Sequence, residues 1–309
     1  MLTECINSLL AGEDRPDEIW VYDDFSSEPA ERHIPPNAEA KVIRGGENKG
    51  PSHGRNTLLH SATSDYIHFH DADDQFDSHW CEMIRKSLLD TQPDLIVSEC
   101  LRYSGNRYVG PVFDLRTLET SDDIIAFFLL GSTNTQSLTF RRDLALQTGG
   151  YQTEDLKAAL DYFFNSCLAL VATSFTICRE AIVIEELRPL SLTRTSAGTL
   201  SIAHRQQCLR AIELLSARTP PQYLNHLAEL AVSIASQLYT AGSFQDATYG
   251  FSLARQIGRP RYSLMSRPYR LVAGIFGPII AERLSAAYRM AVPASIRTVV
   301  YGPINGKRG

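Results

Sequence analysis

Short apolar runs that end in acids alternate with helical segments through the first hundred residues, and this alternation restricts the fold more than any other feature of the chain. Leu2, Cys5, Ile6, Leu9 and Leu10 keep the i, i+3, i+4 spacing of an amphipathic helix over residues 2–10. A strand is expected over 18–22, running into Asp23-Asp24, and a second over 41–44, running into the loop Gly45-Gly46-Glu47-Asn48-Lys49-Gly50-Pro51. A helix over 52–61 follows, then a strand over 64–70 that leads directly into Asp71-Ala72-Asp73-Asp74. A helix over 80–89 and a strand over 94–100 complete the pattern. Strands alternating with helices predict an α/β fold with a mostly parallel sheet, flanking helices, and ligands at the carboxyl ends of the strands. Both acidic clusters fall at such ends.

Beyond residue 122 the expectation is mainly helical: 123–130 and 155–171, with a strand-like stretch at 135–140 and two strands within 173–184. After residue 201 the segments 202–217, 221–241 and 243–257 all show helical spacing and no strand signal. A boundary near residue 200 therefore divides the chain into an α/β domain, 1–200, and an all-α region, 201–309. Within the latter, 230–241 and 244–254, joined through Gly242, have the small-and-large alternation of an αα-hairpin.

A net charge of -5 gives the chain no overall attraction to polyanions, so nucleic acid is excluded as the expected partner. Only the tail is locally basic, through Arg255, Arg259, Arg261, Arg267, Arg270, Arg283, Arg289 and Arg297. Such arginines form either a solvated face or a contact with the anionic inner surface of a cell membrane. The six cysteines show no paired spacing, which fits free thiols in a reducing compartment and makes the cytoplasm the expected location. The start of the chain has no signal-peptide pattern, and the apolar stretch 271–280 is broken by Gly274, Gly277 and Pro278.

Three segments carry chemistry. Asp71, Asp73 and Asp74 crowd like charges that a divalent cation would neutralise, and a carboxylate pair leaves the partly open oxygen shell that Mg²⁺ or Mn²⁺ fills with water and phosphate. The bland reading of this cluster is a solvated loop or helix cap. Asp23-Asp24-Phe25-Ser26 could accept hydrogen bonds from a base or ribose, and alone is a turn. Asn48-Lys49-Gly50-Pro51-Ser52-His53-Gly54-Arg55-Asn56 offers glycines for close backbone approach and Arg55 as a phosphate or base partner, or simply a capped helix.

In their order, these segments resemble the family 2 glycosyltransferases of the GT-A fold, whose chains read strand, Asp-Asp-x-Ser, Asn-x-Gly-x-x-x-Ala-Arg-Asn, strand, Asp-x-Asp-Asp. The resemblance spans roughly residues 2–200. It implies an inverting, metal-dependent transfer, of the hexosyltransferase kind, from a nucleotide sugar, with a UDP-sugar the expected donor. The acceptor would be a hydroxyl on a glycan, a lipid-linked intermediate or another surface-polysaccharide precursor. By the same resemblance Asp71 and Asp73 would hold Mn²⁺ or Mg²⁺, and Asp23, Asp24, Ser26, Asn48, Gly50, Arg55, Asn56 and Asp71 would line the donor. Arg194 would face the diphosphate. The family also follows an Arg-bearing strand and Gly-Gly-Tyr with an acidic base: here Arg141-Arg142, then Gly149-Gly150-Tyr151, make Asp161 the candidate, with Glu154-Asp155 as rival.

Two departures matter. Leu160 stands where the family usually has Glu before the base. The family's opening strand, of the type Val-Ser-Val-Ile-Ile-Pro-x-Tyr-Asn, is missing ahead of the first helix, and the expectation is that the sequence begins downstream of it. Two other classes remain open at this level. His68 and His70, two apart on a strand, share a face and with an aspartate could bind zinc as in a metallohydrolase. Alternatively the α/β part is an inactive scaffold and the helical region an interaction module.

Overall fold

The computed structural model describes residues 1–131, 134–187 and 201–291. Helix α1 (Leu2–Leu9) leads to strands β1 (Ile19–Asp23) and β2 (Ala40–Arg44), then α2 (Pro51–Ser61), β3 (Tyr66–His68), β4 (Gln75–Phe76) and α3 (Trp80–Thr91). Next come β5 (Leu95–Ser104), β6 (Arg107–Pro111), α4 (Leu115–Ser121), α5 (Ile124–Leu129), β7 (Leu138–Arg141), α6 (Arg142–Gln147), α7 (Leu160–Val171) and β8 (Phe175–Glu186). Five helices follow: α8 (Ile202–Ser216), α9 (Leu224–Thr240), α10 (Phe244–Ile257), α11 (Arg267–Phe276) and α12 (Pro278–Ala291).

The α/β class expected from the alternation is present, but the sheet is mixed rather than mostly parallel. Strands β1 and β2 form a parallel pair, and a second sheet runs β3-β7-β5-β8-β4, with β6 on β5. Within it only β5 and β8 are parallel. An apolar run does not encode its direction; the connection does, and short links such as the turn between β5 and β6 give antiparallel neighbours. The two strands expected within 173–184 are one, β8, whose pairing with β5 jumps from Cys178 to Ile182. The intervening Arg179, Glu180 and Ala181 bulge, and the bulge bends a strand that sequence reads as two.

Inside this unit the core is built from Leu95, Ile96, Val97, Leu138 and Phe140 of the central strands against Phe128, Phe164 and Leu168 of the helices. Such burial supplies most of the stabilisation, about 25 cal/mol per Å² of apolar surface. Buried Asp94, just before β5, accepts hydrogen bonds from Thr173 N (2.6 Å), Thr173 Oγ1 (2.7 Å) and Ser174 N (3.2 Å), and from Arg141 Nη1 at 3.2 Å. It thereby pins the start of β5 to the start of β8 and the end of β7.

The facing edges of β1 and β3 are not paired with each other. Between them lies a cavity of about 430 Å³, lined by Ile19 to Tyr22, by Tyr66 to Phe69, and by apolar side chains of α1, α2 and α3.

The chain separates into two compact units, 1–219 and 220–309. The break thus falls later than the expected boundary near 200, because α8 packs on α7 and belongs to the first unit. In the second unit α9 and α10 form the expected αα-hairpin, turned at Gly242 with φ +84°. Buried Glu229 of α9 then fastens the following loop, accepting from Arg261 N, Ser263 N (2.6 Å) and Ser263 Oγ (3.0 Å). Among the described residues no helix is long and apolar enough to cross a membrane.

Candidate active site

The site forms where β1 and β3 end and α2 and α7 begin. Asp24 follows β1 directly and Asp71 lies three residues past the end of β3, Arg55 lies one turn into α2, and Asp161 lies in the first turn of α7. The centre is Arg55. Its Nη2 donates to Asp71 Oδ1 at 2.7 Å and its Nη1 to Asp161 Oδ1 at 3.0 Å, with the guanidinium 5.1 Å from the Tyr151 ring centre. Burial works against the charge of Arg55, but the Tyr151 phenol, Asp161 and Asp71 outweigh it and hold the group firmly protonated. One cation therefore ties together residues 55, 71, 151 and 161 from four separate segments.

The backbone around this cluster is fixed by the other predicted residues. Asn56 donates through Nδ2 to Tyr151 O (2.9 Å) and accepts at Oδ1 from Tyr151 N (2.8 Å). Its amide thus holds the Gly150-Tyr151 turn, where Gly150 has φ +70°, and is spent on the backbone rather than presented to a ligand. Tyr151 in turn stacks on Phe164 of α7 at 4.1 Å. Asp24 accepts from Lys49 N (2.8 Å) and Gly50 N (2.7 Å) and so sets the loop before α2. Gly50 itself caps the helix at φ +83°, with Pro51 at the first helical position. Gly54 packs against β1: a Cβ there would come within 2.7 Å of the Tyr22 ring.

Asp23 is buried. It accepts from Ser26 N (2.8 Å), Ala30 N (3.1 Å) and Arg44 Nη1, while Arg44 Nη2 donates to Ser26 O at 2.7 Å. Burial alone would raise its pKa, but these donors outweigh that and keep it below the usual carboxylate value. Both its oxygens are therefore committed to the loop after β1. Asn48 is exposed on the loop that Asp24 anchors. Arg194 lies outside the described residues.

The three aspartates after β3 differ in setting. Asp71 is half exposed, and Asp73 is partly buried. Asp74 is buried and accepts from Gln136 Nε2 and from Glu186 N (3.0 Å), and burial pushes its pKa up to about 7. Asp74 thus belongs to the scaffold, tying the cluster to the turn before β7 and to the end of β8. Gln136 carried no sequence signal, because its role exists only through this contact. Two carboxylates, Asp71 and Asp73, suit Mg²⁺ or Mn²⁺, which takes one or two protein carboxylates and completes its shell with water and phosphate. Among the described residues no set of three or more His, Cys, Asp or Glu side chains is placed to hold a metal unaided.

A zinc centre normally takes at least three protein ligands, and the two histidines have other company. His68 Nδ1 meets Thr139 Oγ1 at 3.2 Å and its ring packs 4.4 Å from Trp80; His70 stacks 3.8 Å from Phe76. Burial holds His68 well below its ordinary pKa and lowers His70 to about 4. They share a face, as expected, but it is an aromatic core face.

The rival acids also separate in space. Asp155 pairs with Arg210 of α8 at 3.3 Å and Glu154 is exposed, whereas Asp161 shares Arg55 with Asp71. Ala159, the residue capping α7, sits at φ +57°, a left-handed conformation unusual for a residue with a Cβ. The turn that delivers Asp161 is held in it.

A two-sheet α/β unit with this acidic cluster at the strand ends has the GT-A fold. Residues 1–146 match the family model described as Glycosyl transferase family 2. The structure is similar to S. aureus TarS 1–349 in complex with UDP-GlcNAc, with a TM-score of 0.64 at 16% identity over 95% of this chain and 89% of that one. It is similar too to the mannosyltransferase PcManGT from Pyrobaculum calidifontis in complex with GDP-Man and Mn²⁺, with a TM-score of 0.55 at 16% identity over 93% and 83%. At these identities the likeness establishes the fold. No curated protein sequence matches the chain.

Proposed function

We propose that the chain is an inverting glycosyltransferase that moves a sugar from a UDP-sugar to a hydroxyl of a glycan or lipid-linked acceptor in the cytoplasm. The observation that carries this reading is the Arg55 bridge, which sets an acid from α7 beside the aspartates that follow β3. A displacement at the anomeric carbon needs this juxtaposition: a base on one side and a site for the departing diphosphate on the other. The family-model match of residues 1–146 supports the class of reaction. The nucleotide sugars named for TarS and PcManGT support the class of donor.

The cavity rim carries Asp24, Gly50, Arg55 and Asp71, and this is where the donor would lie. Asp24 and Gly50 shape the loop that receives the nucleotide, and Asp71 with Asp73 would hold Mn²⁺ or Mg²⁺. When bound there, the metal neutralises the diphosphate as it leaves. The acceptor oxygen forms its bond to the anomeric carbon as the bond from that carbon to the diphosphate breaks. Asp161 takes the hydroxyl proton, as a general base must from within hydrogen-bond reach. All six cysteines are free thiols, in keeping with a reducing compartment.

Isothermal titration with UDP, with and without Mn²⁺, tests the reading directly. The expected result is metal-dependent UDP binding that Asp73→Ala abolishes together with metal-dependent donor hydrolysis. UDP binding unaffected by either chelation or Asp73→Ala would remove Asp73 from the metal role.

A further inference from the structure

The second unit carries a surface that glycosyl transfer does not use. On α11, Leu271, Ile275 and Phe276 are 67%, 66% and 62% exposed, and on α12, Ile279, Ile280 and Leu284 are 37%, 41% and 53% exposed. They are not needed to hold the two helices together: that packing is made by Tyr269, Ala273 and Ala281 with Tyr262, Met265 and Val272. Leu271 and Ile275 are one turn apart, as are Ile280 and Leu284, and Phe276 and Ile279 flank the turn at Gly277. Single exposed apolar residues need no explanation, but six within fourteen positions form a patch that marks an interaction site.

Charge selects the partner. Residues 255–289 contain seven arginines and one acid, Glu282, in a chain whose net charge is -5. Glu282 is completely buried, whereas Arg267, Arg270 and Arg283 are exposed beside the apolar residues. A second copy of the chain laid on this face would bring arginine against arginine, which a self-complementary interface disfavours. A surface that is apolar in depth and anionic at its boundary satisfies both sets of side chains. That is the boundary between the headgroups and acyl chains of an anionic bilayer. Helices of 10 and 14 residues are too short to span a bilayer, which takes about 20.

We infer that the α11–α12 pair is an interfacial membrane anchor that lays its exposed Leu, Ile and Phe side chains into an anionic phospholipid surface while its arginines meet the phosphates. This goes beyond the catalytic reading and survives or fails independently of it.

Co-sedimentation of the full chain with vesicles of phosphatidylcholine, with and without phosphatidylglycerol, is the test. Binding is expected to the mixed vesicles and to fall with added salt. The triple variant Arg267→Gln, Arg270→Gln, Arg283→Gln should weaken it about 100-fold at low salt, and Ile275→Asp with Ile279→Asp should abolish it. Both variants should keep the wild-type circular dichroism and UDP affinity, because none of these residues belongs to the candidate site. Equal sedimentation with and without phosphatidylglycerol, or binding unchanged in both variants, would overturn the inference. So would a wild-type dimer in light scattering that Ile275→Asp with Ile279→Asp converts to monomer, since a second copy would then cover the face.

Discussion

Replacing Arg55 by alanine removes two charge-assisted hydrogen bonds and one cation–ring contact in a single step. Hydrogen bonds to charged groups contribute about 1.5–3 kcal/mol each, and a cation over an aromatic ring adds about 0.5–1 kcal/mol. The side chains of Asp71 and Asp161 are 46% and 35% exposed, so solvent screens both pairs and the lower end of the range applies. The lower ends add to a stability loss of about 3.5 kcal/mol, measured as a shift in the urea midpoint at constant slope. Only the part of the bridge that is stronger in the transition state than in the free enzyme appears in kcat/KM, at tenfold for each 1.36 kcal/mol. Arg55→Lys keeps the charge but not the two-armed geometry, and should fall between the two. Metal affinity provides the distinguishing signature. Arg55 occupies Asp71 Oδ1, so the alanine variant should bind Mn²⁺ as tightly as wild type or more tightly while turning over more slowly. An alanine variant that kept turnover within threefold of wild type and lost less than about 0.5 kcal/mol would refute the bridge as an organising contact.

Three further outcomes follow from the geometry. Asp161→Asn should lower kcat by 10² to 10⁴, roughly the worth of a general base, while UDP affinity in titration stays within twofold. Asp94→Ala should cost about 1–3 kcal/mol of stability at neutral pH, because it leaves the Thr173 and Ser174 amides without their buried acceptor while Arg141 keeps Asp143. Burial raises the Asp94 pKa, but those donors outweigh it and hold it below 3.8, so the unfolded chain binds the proton more readily. The stability it contributes is therefore whole above about pH 4 and drains away as pH falls further, and wild type and variant should converge in acid denaturation. Ala159→Gly relieves the left-handed cap of α7 and should be neutral or stabilising by up to about 1 kcal/mol in thermal melts; a clear destabilisation would show that the cap is not strained.

Much of the fold was legible because local chemistry wrote it. Apart from the short β4, which was not expected, the elements from α1 to β5 fall within a few residues of their expected bounds, since apolar spacing and the punctuation of Gly50, Pro51 and the aspartates are properties of adjacent residues. The direction of the strands was not legible, because an apolar run reads the same either way and β7 and β8 take their directions from distant partners. Neither was the bulge at Arg179 to Ala181, nor the place of α8 in the first unit.

The candidate site divides along the same line. Sequence alone placed Asp24, Asp71, Asp73 and Arg55 at strand and helix ends, because those ends are where short-range patterns stop. It could not separate Asp161 from Asp155, or assign Asn56 and Asp23 to the scaffold, since each of those roles depends on a partner brought near by folding: Arg55 for Asp161, the Tyr151 backbone for Asn56, and Arg44 for Asp23. The residue types were written in the chain. Which carboxylate shares a cation with Asp71 was decided by packing α7 against α2 through Tyr151, a contact across about a hundred residues that no local pattern encodes.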